Sequence, residues 1–137
     1  MDDAVIRYCA ASAADDIDGL MATLAPDIEL VSPLSGRMIF RGHDDLRVLL
    51  TGVYGSFKDL HWREPIGQGS VRVAISEGTL AGLRLDDAMV FDLAEDGRIR
   101  RIRPHLRPWL ATTIFALQLV PKIARTPGVI WRALRVG

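Results

Sequence analysis

The chain has 137 residues, 49% hydrophobic and 25% charged, with a formal net charge of zero. That length and balance fit a single soluble globular domain with a real core. The lone Cys9 excludes an internal disulfide, and nothing near it has metal-ligand spacing, so neither a metal nor another cofactor is expected. The start, Met1-Asp2-Asp3, is acidic and no apolar signal segment follows, which predicts a cytoplasmic protein. The zero charge hides an asymmetry: residues 1–96 hold all 17 acids and 8 bases, and residues 97–137 hold 9 bases and no acid. A basic, apolar C-terminal third suits an anionic partner or a membrane surface. The plainer expectation is that it packs on the acidic remainder or on a second copy.

In chain order, Asp2 or Asp3 can cap a first helix running to about Ala13. Asp15 or Asp16 caps a second, whose apolar residues Ile17, Leu20, Met21 and Leu24 follow the i, i+3, i+4, i+7 template until Pro26 ends it. Ile28, Leu30 and Ser32 share one face of a short strand stopped by Pro33. Ser35-Gly36 turns the chain and residues 38–40 extend it. A third helix begins near His43-Asp44, with Leu46, Leu49, Leu50 and Val53 as its buried stripe and Tyr54 beside it. His43 at that start reads as a cap or a solvated side chain.

The period then changes to two. Residues 60–66 form a strand ended by Gly67-Gln68-Gly69, with Trp62 facing in beside Leu60 and His61 facing out. Val71, Val73 and Ile75 mark the next, and Glu77 shares their face. Ala81-Gly82 turns into a strand in which Leu83, Leu85, Met89, Phe91 and Leu93 alternate with mostly polar residues. Asp87 interrupts that apolar set. A lone carboxylate on a core face is costly unless paired, hydrogen-bonded or protonated, which makes it a candidate for acid–base or ligand-anchoring chemistry. The alternative is a wet strand end or a bulge. If the Ala81-Gly82 turn is tight, Glu77 comes nearly opposite Asp87, and two close carboxylates can hold a proton between them. Asp96-Gly97 is a hairpin signal, and residues 99–106 make the last strand, with Arg101, Arg103 and His105 on its outer face. Residues 109–120 are mainly apolar but too short to span a bilayer. Pro121 and Pro127 break the tail into two short helices, with Lys122, Arg125, Arg132 and Arg135 on the wetter sides. Helices first and antiparallel strands after them predict an α+β fold.

The segments "RYCAASAADDIDGLMATLAPDIELVSP", "FRGHDDLRVLL" and "MVFDLAEDGRIRRIRP" resemble the paired helices, third helix and final hairpin of the nuclear transport factor 2-like superfamily, which includes ketosteroid isomerases and SnoaL-like polyketide cyclases. The resemblance covers about residues 3–108. It implies a cone: a curved antiparallel sheet wrapped around three N-terminal helices, with an apolar pocket between them and dimerisation through the outer sheet face. It also implies a domain over residues 1–108 and a separate helical extension over 109–137. The ketosteroid isomerase mechanism uses an Asp base with an oxyanion hole of Tyr and a protonated Asp. Tyr8 matches the tyrosine. Ser32 stands at the base position and Met89 at the protonated Asp position. Two of three roles are therefore missing, which argues against a ketosteroid isomerase of the standard kind.

The expected function is binding of a small apolar molecule, with acid–base catalysis possible through Asp87, Tyr8 and Glu77. Ser32, Phe40, Tyr54, Trp62, Met89 and Phe91 are the expected pocket residues. The competing reading is a non-catalytic interaction protein whose tail binds a partner or membrane surface. A cavity of about 300 Å³ or more would favour the ligand. A homodimer is expected through the outer sheet face and the tail. Nucleic acid is not, because the arginine-rich strand lacks interleaved aromatics.

Overall fold

A computed structural model describes residues 3–35 and 37–134. The first helix, α1 (Ala4–Ala13), is capped by Asp3, whose side chain accepts from the Val5 and Ile6 amides. Asp2, the other cap candidate, lies outside the described residues, as do Gly36 of the expected turn and Arg135 of the tail. Asp16 caps the short α2 (Ile17–Met21). That helix stops before Leu24, which already opens β1 (Leu24–Val31), so Pro26 sits inside a strand instead of ending a helix. It is tolerated there because β1 pairs with its neighbours regularly only from Glu29 onward, so the missing N–H breaks no ladder bond.

After β2 (Ile39–Arg41), α3 (His43–Ser56) buries Leu46, Leu49 and Leu50 as its spacing predicted. His43 is not the cap, which is Gly42, and its side chain is half-buried. Its Nε2 lies 3.1 Å from both the Leu24 and Ala25 carbonyls, so it tethers α3 to β1. Then follow β3 (Lys58–Trp62), β4 (Val71–Leu80), β5 (Leu83–Leu93), β6 (Ile99–Arg103) and β7 (Leu106–Arg107). Strand β3 is shorter than expected because Pro65 lacks a donor, and beyond it only Ile66 bridges back, to Val73. Pro104 divides the expected final strand into β6 and β7 for the same reason.

The sheet order is β2-β1-β6-β5-β4-β3, with β7 pairing β5. The sheet is antiparallel except that β1 runs parallel to β6, a departure from the all-antiparallel expectation. Ala81 and Gly82, both at positive φ, make the two-residue turn between β4 and β5. Leu80 therefore pairs Leu83, Ser76 pairs Asp87 and Glu77 pairs Asp86. Across such a turn an odd-numbered residue always faces an even-numbered one. With Leu85, Asp87, Met89 and Phe91 turned inward, the inner face of β4 must be Ala74, Ser76, Gly78 and Leu80. Val71, Val73, Ile75 and Glu77 do share a face, as expected, but it is the outer one, so Glu77 does not face Asp87.

The tail forms α4 (Trp109–Ala124) and α5 (Pro127–Leu134). Pro121 does not break α4. The carbonyl it leaves without a donor belongs to Leu117, which is exposed, so water can satisfy it. Ala111, Phe115, Leu119 and Ile123 recur every four residues along α4 and join the same hydrophobic core as α1, α3 and the sheet. Arg132 on α5 grips the buried Asp45 on α3 through two hydrogen bonds of 2.9 and 2.7 Å. The basic tail thus meets the acidic remainder of its own chain, at least at this point.

Candidate functional site

The site is a cavity of about 140 Å³ between the sheet, α3 and the tail. Leu30, Phe40 and Met89 line it from the strands, Leu49, Leu50 and Val53 from α3, and Phe115, Leu119 and Ile123 from α4. Among the described residues, the polar side chains on its wall are Ser32, Ser35 and Asp87. Ser32 is engaged locally, with Oγ accepting from the Leu34 amide at 3.1 Å.

Asp87 is 9% exposed. Its place follows from strand alternation: two residues before Met89, it keeps Met89's inward face. Burial pushes its carboxyl up to about 7, against a single opposing contact, the His105 N–H donating to Oδ1 at 3.1 Å. That donor comes from the interruption at Pro104, which frees the His105 amide to turn toward β5 while β7 pairs Leu106 with Asp87. Near neutral pH the group populates both protonation states.

Behind Met89 sits a second polar feature. Tyr8 is fully buried on α1, and its hydroxyl lies 2.7 Å from that of Tyr54. Tyr54 donates to the Met89 sulfur at 3.9 Å, so Tyr8 is the donor to Tyr54. Burial raises both phenols well above their ordinary range, and the nearby Asp87 charge adds to that, so both stay protonated. Neither tyrosine lines the cavity; Met89, which does, is the link between it and Tyr54. Trp62 and Phe91 do not line it either. They pack on the Tyr8 ring, with centroids 6.3 and 5.2 Å away, and the Trp62 indole donates to Ser12 Oγ at 2.8 Å. A large tyrosine on the buried side of α1 draws the aromatics to itself.

Glu77 is absent from the site. It faces outward, bonded to Arg63 at 2.6 Å and Arg84 at 2.8 Å, with His61 at 3.4 Å. The Arg63 hydrogen bond, with Arg84 assisting, holds its carboxyl below the usual range. The expected pairing with Asp87 fails on strand parity, which the two-residue Ala81-Gly82 turn already implied. Of the residues read from sequence, Asp87, Ser32, Phe40 and Met89 come together at the cavity. Missed were Phe115, Leu119 and Ile123, although their four-residue period was legible, and the His105 amide, which carries no sequence signal. Among the described residues no group of three His, Cys, Asp or Glu side chains could hold a metal.

A curved sheet around helices, with a mostly apolar cavity bordered by Asp87, defines an α+β cone. Residues 5–102 match the family model of the SnoaL-like domain. The chain belongs to that family, and its architecture is the nuclear transport factor 2-like cone with added C-terminal helices. An uncharacterised bacterial protein with a cystatin-like fold from Silicibacter pomeroyi is 20% identical, with a TM-score of 0.87 over 97% of this chain and 95% of its own. A steroid delta-isomerase from Pseudomonas aeruginosa is 19% identical, with a TM-score of 0.81 over 91% of this chain and 92% of its own. A SnoaL-like protein of unknown function from Burkholderia thailandensis is 20% identical, with a TM-score of 0.63 over 76% of this chain and 92% of its own. These likenesses concern the fold. No curated protein matches the sequence.

Proposed function

We propose that the chain binds a small apolar molecule bearing one polar atom, and that Asp87 exchanges a hydrogen bond or proton with that atom. The observation that supports this is that, among the described residues, Asp87 is the one ionisable group on the wall of a mostly apolar cavity. The cavity, about 140 Å³, is smaller than the ~300 Å³ typical of drug-sized ligands. It is close to the roughly 150 Å³ void that accepts benzene. The ligand is therefore about one ring in size, touching Ser32, Phe40 and Met89. A carboxyl that titrates near 7 gives and takes a proton with similar ease at neutral pH, which suits isomerase-, cyclase- or hydrolase-type chemistry. The protonated Tyr8–Tyr54 pair becomes a second donor only when the flexible Met89 side chain swings aside.

Cyclohexanone and cyclohexanol, titrated while the Leu30 and Met89 methyl signals are followed by NMR, test this. Both should shift those methyls. The ketone needs a donor, so its affinity should fall as pH rises past about 7, while the alcohol's should not. No shift at millimolar probe, or a ketone affinity flat through pH 7, would reject the reading.

A homodimer through the outer sheet face is part of the same proposal. The inverted β4 puts Val71, Val73 and Ile75 on that face beside Ala88 and Val90, and Val71 is 49% exposed. Such a stripe favours burial against a second copy. Light scattering on the full chain should return twice the chain mass, and a monomer at micromolar concentration would count against it.

A further inference from the structure

The tail has two apolar faces, and only one is used by the core. Opposite the buried residues of α4, the side chains of Trp109, Leu110, Leu117 and Val120 fall within one third of the helix circumference. They are 79%, 52%, 71% and 51% exposed. Trp131 and Leu134 add exposed apolar surface on α5, at 66% and 49%. Among the described residues, six of the ten large exposed hydrophobics therefore belong to these two helices. No charged residue interrupts the α4 stripe, and Arg107 and Arg125 stand beside it near its ends. No acid occurs anywhere in residues 97–137.

We infer that this stripe docks on the surface of an anionic lipid bilayer, with α4 lying in the plane of the interface. Two occupants fit exposed apolar area of this size, a membrane or a second copy of the chain. Charge separates them. A twofold interface sets the same patch against itself, so each basic flank would meet another basic flank, and the acid beside Arg107, Asp86, already faces Arg84 and Arg107 of its own chain. An anionic headgroup layer supplies the missing charge, and tryptophan side chains favour the depth at which headgroups meet acyl chains. The second copy has the outer sheet face instead, where Arg84, Asp86, Asp92 and Arg103 mix both signs. Among the described residues no helix is long and apolar enough to cross a membrane, so the contact is peripheral. Val120 stands in the stripe and also lines the cavity. An apolar ligand could then pass between bilayer and cavity without crossing water. That route rests on the ligand reading above, whereas docking does not.

The test is vesicle flotation of the full chain without ligand, using phosphatidylcholine vesicles with and without phosphatidylglycerol. The chain should float with the anionic vesicles and not the neutral ones, and about 0.5 M salt should weaken the binding through the screened basic flank. Leu117→Glu, at an exposed position that the fold does not use, should lower partitioning about tenfold or more, with an unchanged circular dichroism spectrum. Light scattering of the same variant reports its size. A full chain that stays with the unbound fraction, or a Leu117→Glu variant that floats as well as its parent, would overturn the inference. Loss of dimer in Leu117→Glu, with no flotation of the parent, would assign the stripe to a second copy instead.

Discussion

Replacing Asp87 by Asn should make the chain more stable at pH 8 and remove a pH dependence that the parent shows between about 4 and 7. The sign follows from the raised carboxyl. In the unfolded chain Asp87 titrates near 3.8, and in the fold near 7. Between those values the folded state holds a proton that the unfolded state has released, so the unfolding free energy falls as pH rises. The favourable contribution is complete below about 3.8, declines through the window, and is gone above about 7. A separation of about three units, at ~1.4 kcal/mol each, sets an upper value on the order of 4 kcal/mol. Asparagine keeps the shape, can still accept from the His105 amide, and carries no charge to desolvate. Urea unfolding of parent and variant at pH 5 and pH 8 reads the effect as a difference of differences, which cancels groups common to both, such as Asp3 and Glu77. Parallel pH profiles would show that Asp87 ionises at its ordinary pH and is not desolvated. The same comparison bears on function, because the ketone-binding pH profile should flatten with the stability profile.

Phe115→Ala should cost about 3–5 kcal/mol, the usual range for truncating a buried aromatic. Phe115 is 3% exposed, packs beside Phe57 with ring centroids 5.4 Å apart, and forms part of the cavity wall. Removing its ring enlarges the existing cavity, so the site cannot collapse around the loss and the cost should lie toward the upper end. The same change should admit a two-ring probe such as naphthalene, which the parent cavity of about 140 Å³ excludes. Urea midpoints and the NMR titration described above measure the two effects. A cost below about 1 kcal/mol would mean that α4 is not seated on the core, and the cavity would then lose one of its walls. Stability and ligand size are linked here because one helix supplies both packing and closure.

Much of this protein is local and was legible as such. Asp3 caps α1, the Leu46-Leu49-Leu50 stripe orients α3, and alternation along β5 turns Asp87 inward, each from spacing within a dozen residues. The family resemblance rested on residues 7–33, 40–50 and 89–104, and the cone and the family match over residues 5–102 agree with it. Faces and closures were not local. Which side of β4 meets the core depends on its register with β5, and hydrophobicity misled because Val71, Val73 and Ile75 face outward. The prolines misled in the same way. Pro26 and Pro121 have fixed local costs, but whether they end an element depends on what surrounds the unbonded groups. Sequence alone determined the buried stripe of α3, the inward carboxylate and the acid-free tail. Only the tertiary structure decided that Met89 links the Tyr8–Tyr54 pair to the cavity, that His105 answers Asp87, and that α4 closes the cavity. Those outcomes join residues 18 to 46 positions apart or more, and pairings of that kind follow from packing all elements at once.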